Sequence, residues 1–402
     1  MSSETRTVDG GDEGAGASVL AACALSAVPG VGPSTLLRIA KRFGSLEQAM
    51  AQGARALLDD ARELRLTEDA RAYLSQHPDL EKLGALALEA SRQVGARVML
   101  LGDAAYPPAL RQLPSPPPIL HVRGRLAPAA PRVAVVGSRD AGDDALAIAH
   151  GFGEALSAAG VQVVSGGARG IDSAAHEGAC GGRGGTLAVL GSGIDVVYPQ
   201  ENEELFHRIA RDGGAVMTEF PPGTPPAAGN FPRRNRIVAA LADAVVVVRA
   251  ALRSGALITA DHAARLGRPI FAVPGGARDP LAEGPNALLR HQAAGAAPGP
   301  LDVLRAMGWP VPEAMGRTAA AATTSEPSAA ARALKDEAPP GAAALDQDGA
   351  RLWALLDGST PAHVDDLALR SRMAAPQALR KLAELELKGM VVQRPGKFFL
   401  RR

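Results

Sequence analysis

The sequence predicts an α/β protein whose largest domain is a doubly wound parallel sheet. Six short apolar runs alternate with helical segments in the middle of the chain. These runs are 133–136, 161–164, 186–190, 215–218, 245–248 and 270–273. They are almost free of polar residues, as expected where helices cover both faces of a parallel sheet. The regular alternation therefore predicts crossover connections between parallel strands.

Length and composition indicate a soluble protein of several domains. The 402 residues exceed the roughly 100–200 residues of a typical domain. Hydrophobic residues make up 47% and charged residues 21%, which excludes a disordered or collagen-like chain despite 45 Gly and 31 Pro. The 43 basic and 42 acidic residues nearly cancel, so a site for a polyanion must arise from local placement of charge.

Cysteine usage and hydropathy predict a cytoplasmic protein with no membrane contact. Cys23 and Cys180 are the only cysteines and lie far apart, which excludes a disulfide scaffold or a cysteine-rich metal cluster. The first 16 residues are polar and net acidic, and no 18 uncharged apolar residues follow one another. We therefore expect neither secretion nor a membrane span.

Before the sheet, the chain predicts a disordered terminus (1–17) and a small helical domain (18–96), in which apolar residues recur at helical spacing. Its turn at 28–34 contains two glycines and two prolines and resembles a helix-hairpin-helix turn. Such a turn can direct backbone amides at a DNA phosphate, or it can be an interhelical turn used for protein contact. Both alternatives stay open.

Three further regions follow from composition and pattern. The first is an extended sheet domain (97–309), which includes a proline-rich connector. The second is a linker rich in Ala, Pro and Ser (310–348), which is predicted to be flexible. The third is a C-terminal domain (349–402). Residues 350–402 carry ten basic and five acidic residues, a local charge of +5. Three helices before a strand pair resemble a winged helix, whose third helix can lie in a DNA groove.

The first strand of the sheet ends at Arg139, where a dinucleotide-binding loop would need a glycine. An arginine at this position offers a planar, charged fork suited to a phosphate. The alternative is a surface ion pair with Asp140 or Asp143. We expect Arg139 to bind an anion.

Glycine-rich turns follow the second and third strands. Their backbone amides can converge on an anion, although glycines also simply permit a tight turn. The carboxyl ends of parallel strands share one edge, so the turns should meet at one crevice. The residues expected there are Ser165, Gly166, Gly167, Arg169, Gly170, Gly191 and Gly193.

The segment 230–236 combines three arginines, two asparagines and a phenylalanine. This combination is typical of sites for single-stranded nucleic acid, where an aromatic ring stacks on a base and cations hold phosphates. The alternative is a helix start with solvated arginines. The residues expected to contact the strand are Asn230, Phe231, Arg233, Arg234, Asn235 and Arg236.

Two further groups are less specific. Ser254 and Thr259 stand at a helix start as an N-cap or a phosphate clamp, and the N-cap is the safer interpretation for Ser254. Asp172, His176 and Glu177 lie within one helical turn, but no second ligand set accompanies them. We therefore expect structural roles there and neither a metal nor a cofactor.

These motifs, in this order, resemble the DprA (Smf) family of bacterial DNA-processing proteins. The resemblance covers about residues 106–304. Its blocks are 106–110, 136–139, 165–172, 188–195, 218–221, 231–237, 254–260 and 272–275. It implies a Rossmann-like domain that binds single-stranded DNA, a SAM-like N-terminal domain, a winged helix and a homodimer. It also implies protection of incoming DNA and loading of RecA in natural transformation (competence) and recombination.

The chain departs from the family pattern at two positions. Arg169 replaces a frequent lysine, and Gln200 stands where a basic residue often follows the Tyr-Pro pair, which predicts a less basic pocket.

The function that these motifs favour is that of a non-enzymatic single-stranded DNA-binding protein. The alternative is a nucleotide-binding Rossmann-like enzyme that cleaves nucleoside monophosphates, for which Glu219 is the candidate acid–base residue.

Overall fold

The computed structural model describes residues 10–127, 130–312, 346–356, 362–371, 373–394 and 398–401. They form two compact units, 10–312 and 346–401. Most of the predicted linker, and residues 1–9 of the predicted disordered terminus, lie outside the described residues. No helix of the described part is long and apolar enough to cross a membrane.

Six helices form the N-terminal domain, as the spacing of apolar residues predicts. Leu25, Leu36 and Leu57 lie in its core. Ser45 and Thr67 begin two of the helices by accepting a hydrogen bond from a backbone N–H of the first turn. The helices are α1 (Gly10–Ser26), α2 (Pro33–Phe43), α3 (Leu46–Asp59), α4 (Ala61–Leu64), α5 (Glu68–Gln76) and α6 (Leu80–Gln93).

The first helix corrects one boundary expected from the sequence. Helix α1 begins at Gly10, eight residues before the predicted domain start at Ser18. Its C-terminal half is buried and packs against α6. Once this half is nucleated by packing, each added residue gains one backbone hydrogen bond, so the helix extends into the polar segment.

The second part of this unit is a nine-stranded sheet of order β1-β2-β6-β5-β4-β3-β7-β8-β9. The six predicted strands are β3 to β8, each within one residue of its expected bounds. The strands are β1 (Ala96–Leu100), β2 (Ile119–Gly124), β3 (Arg132–Val136), β4 (Gln162–Ser165), β5 (Thr186–Val189), β6 (Ala215–Thr218), β7 (Ala244–Val247), β8 (Ile270–Ala272) and β9 (Gly295–Ala296).

The proline-rich connector joins two strands that extend the sheet. Strand β2 pairs antiparallel with β6, and β1 pairs antiparallel with β2, so the sheet is mixed at this edge. The buried Tyr106 donates a hydrogen bond from its hydroxyl to the Pro117 carbonyl at 2.8 Å and holds the connector. The connector is therefore part of the sheet domain rather than a spacer before it.

Helices cover both faces of the sheet. Helices α7, α8 and α13 pack on one face, and α10 and α11 on the other. The strand order reverses between β3 and β7, which places the loops after β3, β4 and β7 around one crevice. The helices are α7 (Asp143–Ala158), α8 (Ile171–Ala179), α9 (Glu203–Arg211), α10 (Asn230–Leu241), α11 (Gly255–Arg265), α12 (Glu283–Arg290) and α13 (Pro300–Ala306).

The C-terminal unit has the element order predicted for a winged helix. It consists of α14 (Gln347–Leu355), β10 (Ala362–His363), α15 (Val364–Ser371), α16 (Ala375–Leu387), β11 (Val391–Arg394) and β12 (Phe398–Arg401). Strand β12 pairs with both β10 and β11. Leu352, Leu367 and Phe399 form a core of its own. Helix α14 begins two residues before the predicted boundary because the Asp346 side chain caps it.

Candidate nucleic-acid interface

A cavity of about 790 Å³ opens at the crevice where the strand order reverses. We call it the strand-end cavity. It is formed by the loops after β3, β4 and β7, by Tyr198 and by one face of α10. Its residues include Arg139, Gly166, Ala168, Asp172, Phe231, Arg234, Asn235, Arg253, Ser254 and Thr259. Its size and position are typical of a ligand site in an open α/β sheet.

Helix periodicity divides the arginine-rich segment between two surfaces. Phe231, Arg234 and Asn235 line the strand-end cavity, as their spacing of three and four residues predicts for one helix face. Asn230 and Arg233, three residues apart, line a different cavity. The segment 230–236 therefore does not act as one cluster of cations.

An exposed cation and two aromatic rings meet at the mouth of the strand-end cavity. The Arg139 Cζ lies 4.8 Å from the centre of the Phe231 ring, and the Tyr198 and Phe231 ring centres are 5.6 Å apart. A Cβ at Gly191 would lie 2.8 Å from Phe231 Cδ1, so this glycine makes room for the ring. No carboxylate among the described residues pairs with Arg139, so the alternative of a surface ion pair finds no support. The arrangement suits a nucleobase stacked beside a phosphate.

Arg234 is a structural residue, contrary to the expectation that it holds a phosphate. It is only 3% exposed, and its Nη1 donates to the carbonyl oxygens of Gly166 and Val189. Gly166 must be glycine because a Cβ there would overlap the guanidinium. Burial lowers the pKa of Arg234 to about 10, which nearby Asp172 partly offsets. Arg234 therefore ties α10 to the ends of β4 and β5.

The start of the glycine-rich turn after β4, at Ser165 and Gly166, is held by protein groups. The buried Asp172 accepts a hydrogen bond from the Gly166 N–H at 3.1 Å, and burial raises its pKa. The Ser165 hydroxyl donates to the Val135 carbonyl at 2.6 Å. The Gly166 N–H and the Ser165 hydroxyl are therefore already bonded within the sheet edge and are not free to hold an anion, although Gly166 itself lines the strand-end cavity.

Arg169 is the exposed cation of this turn. Its Nε lies 3.7 Å from a Glu201 oxygen and its Nη2 lies 3.9 Å from an Asp140 oxygen, both on exposed side chains. Such long surface ion pairs are weak and leave the guanidinium available to a stronger anion. Gly167 and Gly170 have φ of 65° and 78°, a backbone conformation that favours glycine. Their role is to shape the turn that presents Arg169.

The remaining predicted residues divide between ligand-facing and internal positions. Ser254 caps α11 by accepting from the Ala256 N–H at 3.3 Å, as expected, and Thr259 is buried in the cavity wall. The Asn235 amide donates to the Gly255 carbonyl at 3.1 Å. Gly193 lies outside the strand-end cavity, where a Cβ would press on Asp195 and on the loop after β6.

Among the exposed aromatic and cationic residues that line the cavity, the sequence prediction left out Tyr198 and Arg253. Both are exposed and both line it. Tyr198 belongs to a Tyr-Pro pair after the third parallel strand, and Arg253 directly precedes Ser254 at a helix start. An aromatic or cationic residue in the loop that follows a parallel strand was the available signal in each case.

Within the trio Asp172, His176 and Glu177, the histidine has a partner inside the protein. The His176 Nδ1 lies 2.7 Å from the Thr186 hydroxyl, and burial lowers the pKa of the imidazole to about 3. Nowhere in the described chain do three side chains of the types that bind metals lie together. His176 is therefore a neutral residue of the sheet–helix interface.

A second cavity of about 630 Å³ lies between the α1–α2 turn and the loop after β6. We call it the proline-lined cavity because Pro29, Pro33, Pro118, Pro221, Pro222 and Pro225 form its walls. Asn230, Arg233 and Glu219 also line it. The prediction that Arg236 binds a phosphate is corrected here, since its Nη2 pairs with Glu219 and its Nη1 donates to the Ser115 carbonyl at 3.0 Å.

Comparisons with known proteins agree with this architecture. The family model for DNA recombination-mediator protein A matches residues 97–307, and the DprA winged helix domain matches residues 336–397. Protein Smf of Synechocystis is 38% identical over 256 residues, covering 62% of this chain and 63% of its own length, slightly under two thirds. A DNA processing protein DprA of Mycobacterium tuberculosis is 36% identical over 371 residues, covering 90% of this chain and 86% of its own.

Among solved structures, the X-ray structure of DNA processing protein A from Streptococcus pneumoniae is similar with a TM-score of 0.58 and 30% identity. The match covers 71% of this chain and 95% of that one. The matched family model spans the whole sheet domain, and the relatives extend the similarity across both units. This chain belongs to the DNA recombination-mediator protein A (DprA) family.

Proposed function

We propose that this protein binds single-stranded DNA along the strand-end cavity and does not cleave it. The contact among Arg139, Phe231 and Tyr198 carries this proposal. A ring face at a cavity mouth can receive an unstacked base, whereas the bases of a duplex are already stacked on one another. The adjacent guanidinium is placed to neutralise the phosphate of the same nucleotide.

Exposed arginines around the cavity extend this contact to neighbouring phosphates. Arg139 and Arg253 line the strand-end cavity, and Arg169 lines a small adjoining pocket that also contains Arg139 and Phe231. The chain as a whole is nearly neutral, with a formal charge of +1. The attraction for DNA therefore comes from this local group of cations, and it should weaken strongly as salt rises.

A titration with matched oligonucleotides tests the proposal. The same sequence is presented as a single strand and as a duplex at two salt concentrations, to the wild-type protein and to Phe231→Ala. We expect tighter binding of the single strand and a clear loss in the variant. Equal affinity for both forms, or an unchanged affinity of a folded Phe231→Ala variant, would contradict it.

The family membership supports a wider role for this binding. We propose that the protein acts as a homodimer in the cytoplasm, protects incoming single strands and helps to load RecA during natural transformation and recombination. Sedimentation of the full chain tests the dimer, and RecA-driven strand exchange on pre-bound single strands tests the loading. A monomer, or inhibition of strand exchange, would contradict the respective part.

The alternative of an enzyme that cleaves nucleoside monophosphates finds less support. Glu219, its candidate acid–base residue, lines the proline-lined cavity rather than the strand-end cavity. Its carboxylate is paired with Arg236. We therefore expect no release of free base from nucleoside monophosphates, which a chromatographic assay with the full-length protein checks directly.

A further inference from the structure

The proline-lined cavity has one polar group whose bonding is incomplete. Glu219 is only 6% exposed, and one carboxylate oxygen is paired with Arg236. The other oxygen, Oε1, is buried and has no hydrogen-bond partner in the described part of the chain. A buried carboxylate oxygen without a donor is costly, so the cavity is suited to a ligand that brings an N–H or O–H group.

The walls of this cavity favour a flat ligand with apolar faces. Six proline rings and Phe220 line it, and Arg233 is the exposed cation among its residues. The Arg233 Cζ lies 5.3 Å from the centre of the Phe220 ring, and its Nη2 would lie 3.2 Å from a Cβ at Gly32. Apolar walls, an acceptor and a cation together match the faces, an amino edge and the phosphate of one nucleotide.

Ser115 links the α1–α2 turn, on one side of the proline-lined cavity, to Arg236 on the other side. The Ser34 and Ser115 hydroxyl oxygens are 3.0 Å apart, and the Ser115 carbonyl accepts from Arg236, the partner of Glu219. The α1–α2 turn is thereby held at a defined position against the sheet domain. This contact fixes the spacing between the two walls of the cavity.

The two cavities flank the first turn of α10. Phe231 faces the strand-end cavity, whereas the neighbouring Asn230 and Arg233 face the proline-lined cavity. We propose that the proline-lined cavity receives a further nucleotide of the bound strand, and that Glu219 Oε1 accepts a hydrogen bond from the exocyclic amine of its base. This inference rests on the proposed single-strand binding and adds a second contact to it.

The chemistry of the acceptor predicts a base preference. A carboxylate accepts from the N4 amine of cytosine, whereas thymine presents carbonyl oxygens on either side of its one N–H. Cytosine should therefore be favoured over thymine at this position. The preference should be seen only with oligonucleotides long enough to reach past the strand-end cavity.

The test compares oligo(dC) and oligo(dT) of about 4 and about 16 nucleotides, lengths that span the usual range of single-strand sites. With the wild-type protein we expect tighter binding of long oligo(dC) than of long oligo(dT), and no difference between the short ones. Glu219→Gln should bring the long-strand ratio close to one, because an amide both donates and accepts. Glu81→Gln, which removes an exposed carboxylate from α6, is the matched control.

Substitution of Arg233, the exposed cation of the proline-lined cavity, provides a second test. Arg233→Ala should weaken binding of the long strand by about tenfold, the usual size of one lost charged contact, and leave the short strand unaffected. The control is Arg55→Ala, an exposed arginine of α3 that lines neither cavity. An unchanged cytosine preference in Glu219→Gln, or equal losses for both lengths in Arg233→Ala, would overturn the inference.

Cross-linking covers the case in which Glu219→Gln does not fold. A long oligonucleotide carrying 5-iodocytosine is irradiated on the wild-type protein, and the labelled peptides are sequenced. Label on peptides containing 26–36 or 219–225 supports the inference, and label confined to the strand-end cavity overturns it. Absence of single-strand binding at either length would instead contradict the proposed function itself.

Discussion

The Arg139 guanidinium lies 4.8 Å from the centre of the Phe231 ring, although 92 residues separate them. We expect Arg139→Ala to weaken single-strand binding by about 1–3 kcal/mol and Phe231→Leu by a similar amount, since each removes one charged or stacking contact. Fluorescence anisotropy with a labelled oligonucleotide measures both. The double variant should lose less than the sum, because the two side chains contact each other. Strict additivity would show that they bind separately.

Substitution of the buried Arg234 should change the stability of the protein, unlike substitution of the exposed arginines. Arg234→Met should destabilise the fold by about 3–5 kcal/mol, because it leaves Asp172 buried without its cation and two carbonyl oxygens without a donor. Urea unfolding measures this loss. Arg169→Met removes an exposed arginine and should leave stability nearly unchanged. A folded Arg234→Met variant of normal stability that fails to bind DNA would restore a phosphate-binding role.

Salt dependence distinguishes arginines that contact phosphate from those that are already paired. Arg139→Ala should reduce the slope of log affinity against log salt by about 0.7, the value for one phosphate contact on a single strand. Arg236→Ala should leave the slope unchanged, because its guanidinium is bound to Glu219 and Ser115. The measurement is a set of titrations between low and physiological salt. Equal changes in the two variants would argue against this division.

Two buried histidines predict a loss of stability in mild acid. Burial lowers the pKa of His176 to about 3 and that of His121 to about 4, from an ordinary value of 6.5. Below pH 6.5 the unfolded chain therefore binds more protons than the folded one. Stability should fall from pH 6.5 to about pH 4 by up to about 1.4 kcal/mol per pH unit for each histidine.

Urea unfolding at pH 7 and pH 5 measures this dependence. His176→Gln should flatten it, whereas His207→Gln, on the exposed side of α9, should not. A stability that is constant between pH 7 and pH 5 would mean that these imidazoles are not buried as neutral groups.

The C-terminal unit has its own core, so its removal should leave the strand-end cavity intact. Trp309 and Val311 pack against the sheet domain, so the chain should be cut after Pro312 rather than at Pro310. The shortened protein should keep its affinity for single strands, measured by the same anisotropy titration. A loss as large as that of Arg139→Ala would show that the C-terminal unit belongs to the site.

Duplex binding is the property that should fall on this truncation, if α16 lies in a groove. Arg380 is exposed on this helix and Lys388 is exposed directly after it, whereas Lys381 is tied to Asp346 and Glu384 at 2.6 and 2.7 Å. Arg380→Ala in the full chain should therefore weaken duplex binding more than Lys381→Ala. Identical duplex affinity in the full and shortened chains would favour a protein-contact role for this unit.

Local pattern was sufficient to predict most of the fold. The six parallel strands, the helical N-terminal domain and the order of the C-terminal unit follow from periodicity and turn residues, which act over a few neighbouring positions. The antiparallel strands β1 and β2 were not predicted as strands, because a proline-rich connector separates them and the pairing of β2 with β6 is a long-range contact. The early start of α1 was missed because packing overrides the weak helix preference of its polar residues.

For the site, the sequence alone predicted the motif positions at the strand ends and Phe231 as the residue expected to stack on a base. Only the tertiary structure decided which arginines face a ligand. Arg234 reaches the Gly166 carbonyl across 68 residues, and Arg236 pairs with Glu219, so both guanidinium groups are bonded within the protein, while Arg139 stays exposed. An arginine can bind a ligand only if the folded chain brings no carbonyl or carboxylate group to its guanidinium. Where such a group is buried with the arginine, the pairing is costly to break, so the arginine stays bonded within the protein.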